Sequence, residues 1–138
     1  MRSSLHRPHE ARIRIETLRE RWSQPWARLV SIDDAGHIHL GSCEGEFDEL
    51  RHVYLGDSDD ERGGPCHWFT MRVETVEGPV VRQMKLDPAD RDIFMSAVAV
   101  LAWHDTARHC ELCGAPTRPC HGGFVRRCSA CDELVFPR

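Results

Sequence analysis

Two cysteine pairs near the C-terminus are the side chains in this sequence best suited to chemistry. The first is Cys110-Glu-Leu-Cys113, and the second, 14 residues further on, is Cys128-Ser-Ala-Cys131. Each C-x-x-C turn can direct two thiolates towards one ion, and two such turns supply the four sulfur ligands of a tetrahedral zinc site. Gly114 follows the first pair, where the turn often needs positive φ. Because four protein ligands close the coordination shell, the predicted zinc is structural.

Two other uses of these cysteines remain open. A redox dithiol would need only one C-x-x-C pair, normally beside a β-α-β unit, and the sequence indicates no such unit. An iron–sulfur or mixed site could recruit His109, Cys120 or His121. We interpret these three residues as bystanders. With no secretory signal evident, Cys43, Cys66 and Cys120 are expected to be reduced thiols in a cytoplasmic protein.

Apolar residues between and after the cysteine pairs indicate the strands that would position them. Phe124–Arg127 is a plausible hairpin arm, and Leu134–Phe136 is the candidate returning strand. So many apolar side chains in so small a module can bury little surface internally, which predicts an interaction face. Arg126 and Arg127 on the arm could contact a phosphate, a partner domain or only solvent.

The residues before the cysteine module predict short strands and a helix. Ala11, Ile15, Leu18 and Trp22 recur at helical spacing, which predicts a helix over residues 10–23. Alternating or β-branched runs predict strands, the last one short, at 28–32, 37–40, 52–55, 67–73 and 79–82. The first two strands would form a hairpin, and a polar loop would occupy residues 57–64.

A second helix is predicted to begin after Asp87 and to continue to about His104. Asp87 is a favourable N-cap, Pro88 suits the first helical position, and residues 93, 97 and 101 place apolar side chains on one face. The predicted fold class is therefore α+β. A small antiparallel sheet packed by helices would occupy residues 1–105, and the four-cysteine zinc ribbon would occupy residues 106–138.

Length and charge exclude several classes of protein. The 138 residues suffice for one modest domain and a metal-stabilised module, but not for separate cofactor and substrate domains. The net charge of −4 argues against a general nucleic-acid clamp, because such a clamp must neutralise phosphates. The longest apolar run, Ile93–Trp103, is too short to span a bilayer, so no membrane association is expected.

Other chemically capable groups have simpler explanations. His37 and His39 could bind a metal from one strand face, but we expect both to be solvated. The acidic run at residues 57–60 loosely resembles a calcium loop but lacks its glycine and its final glutamate. Cys66 and His67 are adjacent on a predicted strand, so their side chains point to opposite faces and should not form a catalytic pair.

Longer strings around the cysteines resemble the NADH pyrophosphatase branch of the Nudix hydrolases. The resemblance rests on Leu101-Ala-Trp-His104, on Cys110-Glu-Leu-Cys-Gly-Ala-Pro-Thr117, and on Gly122-Gly-Phe-Val-Arg-Arg-Cys128 followed by Phe136-Pro-Arg138. It is looser before residue 100. Asp132 departs from the glycine that usually follows the fourth cysteine in this family, although aspartate tolerates left-handed backbone geometry.

The resemblance implies an α+β domain, a zinc ribbon and then a Nudix domain that hydrolyses the pyrophosphate bond of NAD(H). That chemistry needs a Nudix box, G-x5-E-x7-R-E-x-x-E-E-x-G, whose glutamates hold Mg²⁺ or Mn²⁺, and this sequence contains no such string. We therefore expect a scaffold that is not catalytic alone, with Mg²⁺ or Mn²⁺ needed only if a Nudix domain is supplied elsewhere. It would form a homodimer or dock a Nudix domain. The alternative is a stand-alone zinc-ribbon adaptor or regulator that binds a protein or nucleic acid.

Overall fold

Two sheets and two helices form the part of the chain that the computed structural model describes, residues 14–59 and 65–137. The first sheet contains β1 (Ala27–Ile32), β2 (Ile38–Ser42), β3 (Val53–Asp59) and β4 (Pro65–Arg72), in the spatial order β2-β1-β4-β3. The helices are α1 (Ile15–Trp22) and α2 (Pro88–Thr106). The second sheet contains β5 (Thr117–Cys120), β6 (Val125–Cys128) and β7 (Leu134–Val135), in that order. Neither helix has both the length and the apolar character needed to cross a bilayer.

The predicted α+β class is confirmed, but the first sheet is mixed and not wholly antiparallel. Strands β1 and β2 form the expected antiparallel hairpin, and β3 and β4 form a second one. The two hairpins join through β1 and β4, which run parallel with Leu29 opposite Phe69. Hydrophobic periodicity identifies which face of a strand is buried, but it does not identify the neighbouring strand or its direction.

Two predicted segments differ in the structure. The polar loop begins later than expected, because residues 57–59 still pair with β4, and Ser58 accepts a buried 2.8 Å hydrogen bond from Trp68 Nε1. The predicted fifth strand at 79–82 makes only an isolated bridge between Val80 and His37, after which the chain turns into a short 3-10 helix. The first turn of the helix predicted for residues 10–23 lies outside the described residues, as do residues 60–64.

Each face of the first sheet is covered by apolar groups from one helix. On one face, α2 buries Ile93, Phe94, Ala97 and Leu101 against the strands. On the other face, α1 and the segment after β2 bury an aromatic cluster that includes Trp22, Phe47, Tyr54 and Phe69. Helix α2 begins as expected, because the Asp87 side chain accepts a 2.8 Å hydrogen bond from the Asp90 N–H.

The turn between β1 and β2 depends on one buried carboxylate. Asp33 is 5% exposed, and its Oδ1 accepts hydrogen bonds from the Ala35 and His37 N–H groups at 3.0 and 2.9 Å. Its Oδ2 accepts from Val76 N–H at 3.3 Å and faces His37 Nδ1 at 3.2 Å. Burial alone would raise the pKa of Asp33, but the hydrogen bonds from His37 and Val76 hold it below its usual value.

We expect Asp33→Ala to lower the free energy of unfolding by about 1–3 kcal/mol, because it leaves the Ala35, His37 and Val76 N–H groups without their acceptor. The matched control is Asp34→Ala, since the Asp34 side chain is 88% exposed and its ion pair with Arg72 is a long one of 3.7 Å. The control should change stability by less than about 0.5 kcal/mol. Urea denaturation followed by tryptophan fluorescence measures both. Equal effects of the two substitutions would contradict this role of Asp33.

Candidate metal centre

The four cysteine sulfurs converge on one point between the two C-x-x-C turns. The four Sγ atoms all lie within 4.8 Å of one another. Cys110–Cys131 and Cys113–Cys131 are separated by 3.7 Å, and Cys113–Cys128 by 3.4 Å. A tetrahedral zinc ion with Zn–S bonds of about 2.3 Å requires sulfurs about 3.8 Å apart. The donor set and its spacing therefore fit zinc.

Both turns that carry these cysteines have the backbone geometry that the site requires. In the first, the Gly114 N–H donates to the Cys110 carbonyl at 2.9 Å, and Gly114 has φ +77°. In the second, Asp132 occupies the equivalent left-handed position with φ +65°, so the departure from glycine is tolerated as predicted. The two turns thus have the same left-handed exit although their sequences differ.

The second turn also stabilises a thiolate directly. Cys128 Sγ accepts hydrogen bonds from the Cys131 and Ala130 N–H groups, both at 3.4 Å. These two donors, that of Cys131 first, lower the pKa of Cys128 to about 6. A sulfur that carries negative charge near neutral pH is the form that binds a metal ion.

The residues interpreted as bystanders stay outside the cluster. Among the described residues, the four cysteines are the one group of three or more potential ligands that converges on a point. His109 makes a strand bridge to Pro116, and Cys120 lies at the far end of β5. His67 forms a 2.7 Å pair with Asp57 on a neighbouring strand, and His37 is held by Asp33.

The ribbon, residues 106–137, packs tightly on the first sheet through a diglycine turn. Gly122 lies against Leu18 and Tyr54, and Gly123 lies against Val53. A Cβ atom on Gly123 would approach Val53 Cγ1 to 2.7 Å, and Gly123 has φ +90°. The approach of the two parts of the chain is therefore so close that only glycine fits there.

A hydrogen-bond network centred on His104 also connects the ribbon to helix α2. His104 Nε2 donates to the Gly123 carbonyl at 2.8 Å, and Nδ1 accepts from Arg126 Nη1 at 2.9 Å. Because a carbonyl can only accept and a guanidinium can only donate, the His104 ring must be neutral. Arg126 also donates through Nε and Nη2 to the Thr117 hydroxyl and carbonyl, both at 2.8 Å.

Sequence reasoning did not assign this attachment role to any residue. His104, Gly122, Gly123 and Arg126 all lie within the strings that carry the resemblance, but the strings do not reveal that these residues meet. For Arg126 the structure shows a role that was not among the predicted possibilities, a half-buried set of hydrogen bonds within the chain, whereas Arg127 forms a 3.1 Å ion pair with Asp132. The signal available in the sequence was a histidine with apolar neighbours at the end of a buried helix.

Another face of the ribbon is open and exposes large apolar side chains. Leu112 is 74% exposed and Phe136 is 58% exposed. With Trp103, Leu134 and Val135 they line a groove of about 610 Å³ between the end of α2 and the second sheet. We call these five residues the outer face. One side of the ribbon is thus fixed to the first sheet, while the other presents large apolar groups.

The neutral His104 ring makes stability depend on pH. Burial, followed by the charge of Arg126, lowers the pKa of His104 from 6.5 to about 4. Between these values the unfolded chain binds a proton that the folded chain does not, so stability should fall as pH falls from 6.5 to 4.

Between pH 6.5 and pH 4, we expect the free energy of unfolding to fall by about 2 kcal/mol more in the wild type than in His104→Gln, because glutamine cannot be protonated. Urea titrations at several pH values give the free energy of unfolding of each protein. The difference between the two proteins at each pH removes the contribution of the cysteines and of other titrating groups, because both proteins contain them. Parallel pH profiles for the two proteins would contradict a neutral buried His104.

Comparisons with known proteins agree with this geometry. Residues 105–136 match the family described as the NADH pyrophosphatase zinc ribbon domain. Nudix hydrolase 19, chloroplastic, of Arabidopsis thaliana is 26% identical over an alignment of 137 residues, which covers 85% of this chain and 30% of the plant protein. The NAD-capped RNA hydrolase NudC of Mycobacterium tuberculosis is 40% identical over 53 residues, which cover 38% of this chain and 17% of that protein. The chain therefore spans less than a third of these relatives.

Proposed function

We propose that this chain, whose residues 105–136 match the NADH pyrophosphatase zinc ribbon domain, is a scaffold on which a Nudix hydrolase domain docks. Structural zinc is the cofactor of the ribbon. The ligands in this proposal are Cys110, Cys113, Cys128 and Cys131. Four thiolates close the coordination shell, so the ion stabilises the fold and has no open position for a reacting water.

The observation that carries the proposal is the difference between the two sides of the ribbon. Gly123 against Val53 and the hydrogen bonds of His104 fix one side to the first sheet. Leu112 and Phe136 remain exposed on the other side. An apolar face on a rigidly held module is typical of a surface that another protein covers.

The occupant we propose for the outer face is a Nudix hydrolase domain. The relatives named above are hydrolases, and each is more than three times as long as the part that this chain matches. Glu111 and Glu133 line the same groove as the apolar side chains. A complementary partner surface would therefore be apolar at its centre and basic at its rim.

Catalysis in this proposal belongs to the docked domain. Pyrophosphate hydrolysis of this type uses Mg²⁺ or Mn²⁺ held by clustered carboxylates. No such cluster occurs among the described residues, and the printed sequence contains no Nudix box. The substrate, a dinucleotide such as NAD(H), and the divalent ion would both be bound by the partner.

We expect the purified chain to contain one zinc ion, and Cys128→Ser/Cys131→Ser to contain none. Because the ribbon has too small a core to fold without metal, this variant should also lose the second sheet. Elemental analysis and amide hydrogen exchange measure the two effects. The matched control is Cys120→Ser, which removes a thiol outside the cluster and should retain both zinc and protection. Full zinc content in the double variant would contradict the ligand assignment.

We expect an isolated Nudix domain to bind the zinc-loaded chain, and Leu112→Ser/Phe136→Ser to weaken that binding by about tenfold or more through lost apolar contact area. Met95→Ser is the control, since Met95 is 52% exposed on α2 but does not line the groove. Sedimentation velocity measures binding, and chromatography measures nicotinamide mononucleotide released from NADH.

The chain alone should release no nicotinamide mononucleotide in the presence of Mg²⁺ or Mn²⁺. Turnover that persists after repurification and disappears on substitution of a residue in this chain would contradict a purely scaffolding role. Self-association that Leu112→Ser/Phe136→Ser abolishes, without binding of a Nudix domain, would instead assign the outer face to a homodimer.

A further inference from the structure

A cleft of about 470 Å³ neighbours the groove of the outer face, with which it shares only His109 among its lining residues. It is bounded by the beginning of β3, the end of α2 and the ribbon strands β5 and β6. Four arginines line it, Arg51, Arg72, Arg108 and Arg126, against two carboxylates, Glu49 and Asp105. This local excess of positive charge contrasts with the net charge of −4 for the whole chain.

The arginines in the cleft are only partly neutralised. Asp105 is occupied by Arg72, whose Nη2 lies 2.6 Å from Oδ2, and it makes a longer 3.8 Å contact with Arg108. Within the described parts of the chain, Arg126 and Arg51 have no carboxylate within ion-pair distance. Arg126 donates to His104 and Thr117, which are uncharged, and Arg51 contacts the sulfur of Met71.

The charges that remain repel one another. Burial, and then the nearby charge of Arg108, lowers the pKa of Arg126. The neutral His104 ring between helix and ribbon does not compensate either guanidinium. An anion placed between these groups would remove the repulsion, and guanidinium groups match the oxygens of a phosphate with paired hydrogen bonds.

The rest of the cleft wall is mixed, because Thr117, His104 and His109 line it together with apolar side chains. Leu50, Val53, Leu101, Pro116 and Pro119 line it beside the arginines. Leu50 is 63% exposed at the opening of the cleft. The volume lies within the range of small-molecule sites, and a wall of this kind suits a flat apolar ring rather than a second charged group.

We propose that this cleft binds a nucleoside monophosphate, with the phosphate contacting Arg51, Arg108 and Arg126 and the nucleoside packing on the leucine and proline side chains. The site is separate from the zinc cluster and from the outer face. It does not depend on the proposed docking of a hydrolase domain, so it can be tested on this chain alone.

The test is calorimetric titration of the full zinc-loaded chain with AMP, adenosine and inorganic phosphate at low ionic strength. AMP should bind saturably and more tightly than either adenosine or phosphate. Arg51→Gln/Arg108→Gln should weaken AMP binding by about tenfold or more, since two charged hydrogen-bond donors are lost. Arg126 is left intact because it also attaches the ribbon. The control is Arg91→Gln, an exposed arginine on α2 outside the cleft, which should bind AMP as the wild type does.

Unchanged zinc content and circular dichroism will show that the double variant is folded. Three results would overturn the proposal: no saturable binding of AMP, equal binding by the wild type and the double variant, or equal affinity for AMP and inorganic phosphate. The last result would remove the nucleoside from the assignment. None of these outcomes bears on the docking of a hydrolase domain, which is tested with substitutions of Leu112 and Phe136 on the outer face.

Discussion

The neutral imidazole of His104 is the interaction on which the arrangement of the two sheets depends. It accepts one hydrogen bond and donates another, and so connects a carbonyl of the diglycine turn to the guanidinium of Arg126. A protonated ring could not accept from Arg126 and would place two positive charges in contact. The His104 ring can therefore hold the ribbon in position only while it is neutral.

Zinc and the attachment of the ribbon to the first sheet have two different roles, since one stabilises the fold of the ribbon and the other fixes its position. Thiolate coordination gives the ribbon an interior that its apolar residues, several of which stay exposed, do not provide. Coordination alone would leave the ribbon free to move relative to the first sheet. The close approach of Gly123 to Val53 and the contacts of Arg126 remove that freedom. Rigid placement is what a docking surface requires, because a mobile one must lose conformational entropy whenever a partner binds.

Sequence reasoning succeeded where the chemistry is local. The cysteine spacing predicted the cluster, the glycine and aspartate after the pairs fitted the left-handed turns, and Asp87 capped the second helix. Sequence reasoning was incomplete where a feature of the structure depends on contacts between residues that are far apart in the sequence. The parallel pairing of β1 with β4 depends on contacts such as the buried hydrogen bond from Thr70 to the Val30 carbonyl, 40 residues away. The role of Arg126 likewise depends on which groups surround it, and periodicity carries no information about them.

The parallel pairing at the centre of the first sheet has a consequence for the order of folding. The two hairpins are closed by short connections, whereas joining them requires closure of a long loop, which costs more chain entropy. The diglycine turn packs on residues from α1 and from β3, so the surface that it contacts exists only after α1 has packed against the second hairpin. During synthesis the cysteine pairs also leave the ribosome after all four strands of the first sheet. The ribbon should therefore reach its final position late, after the helix and strands that its diglycine turn contacts have formed.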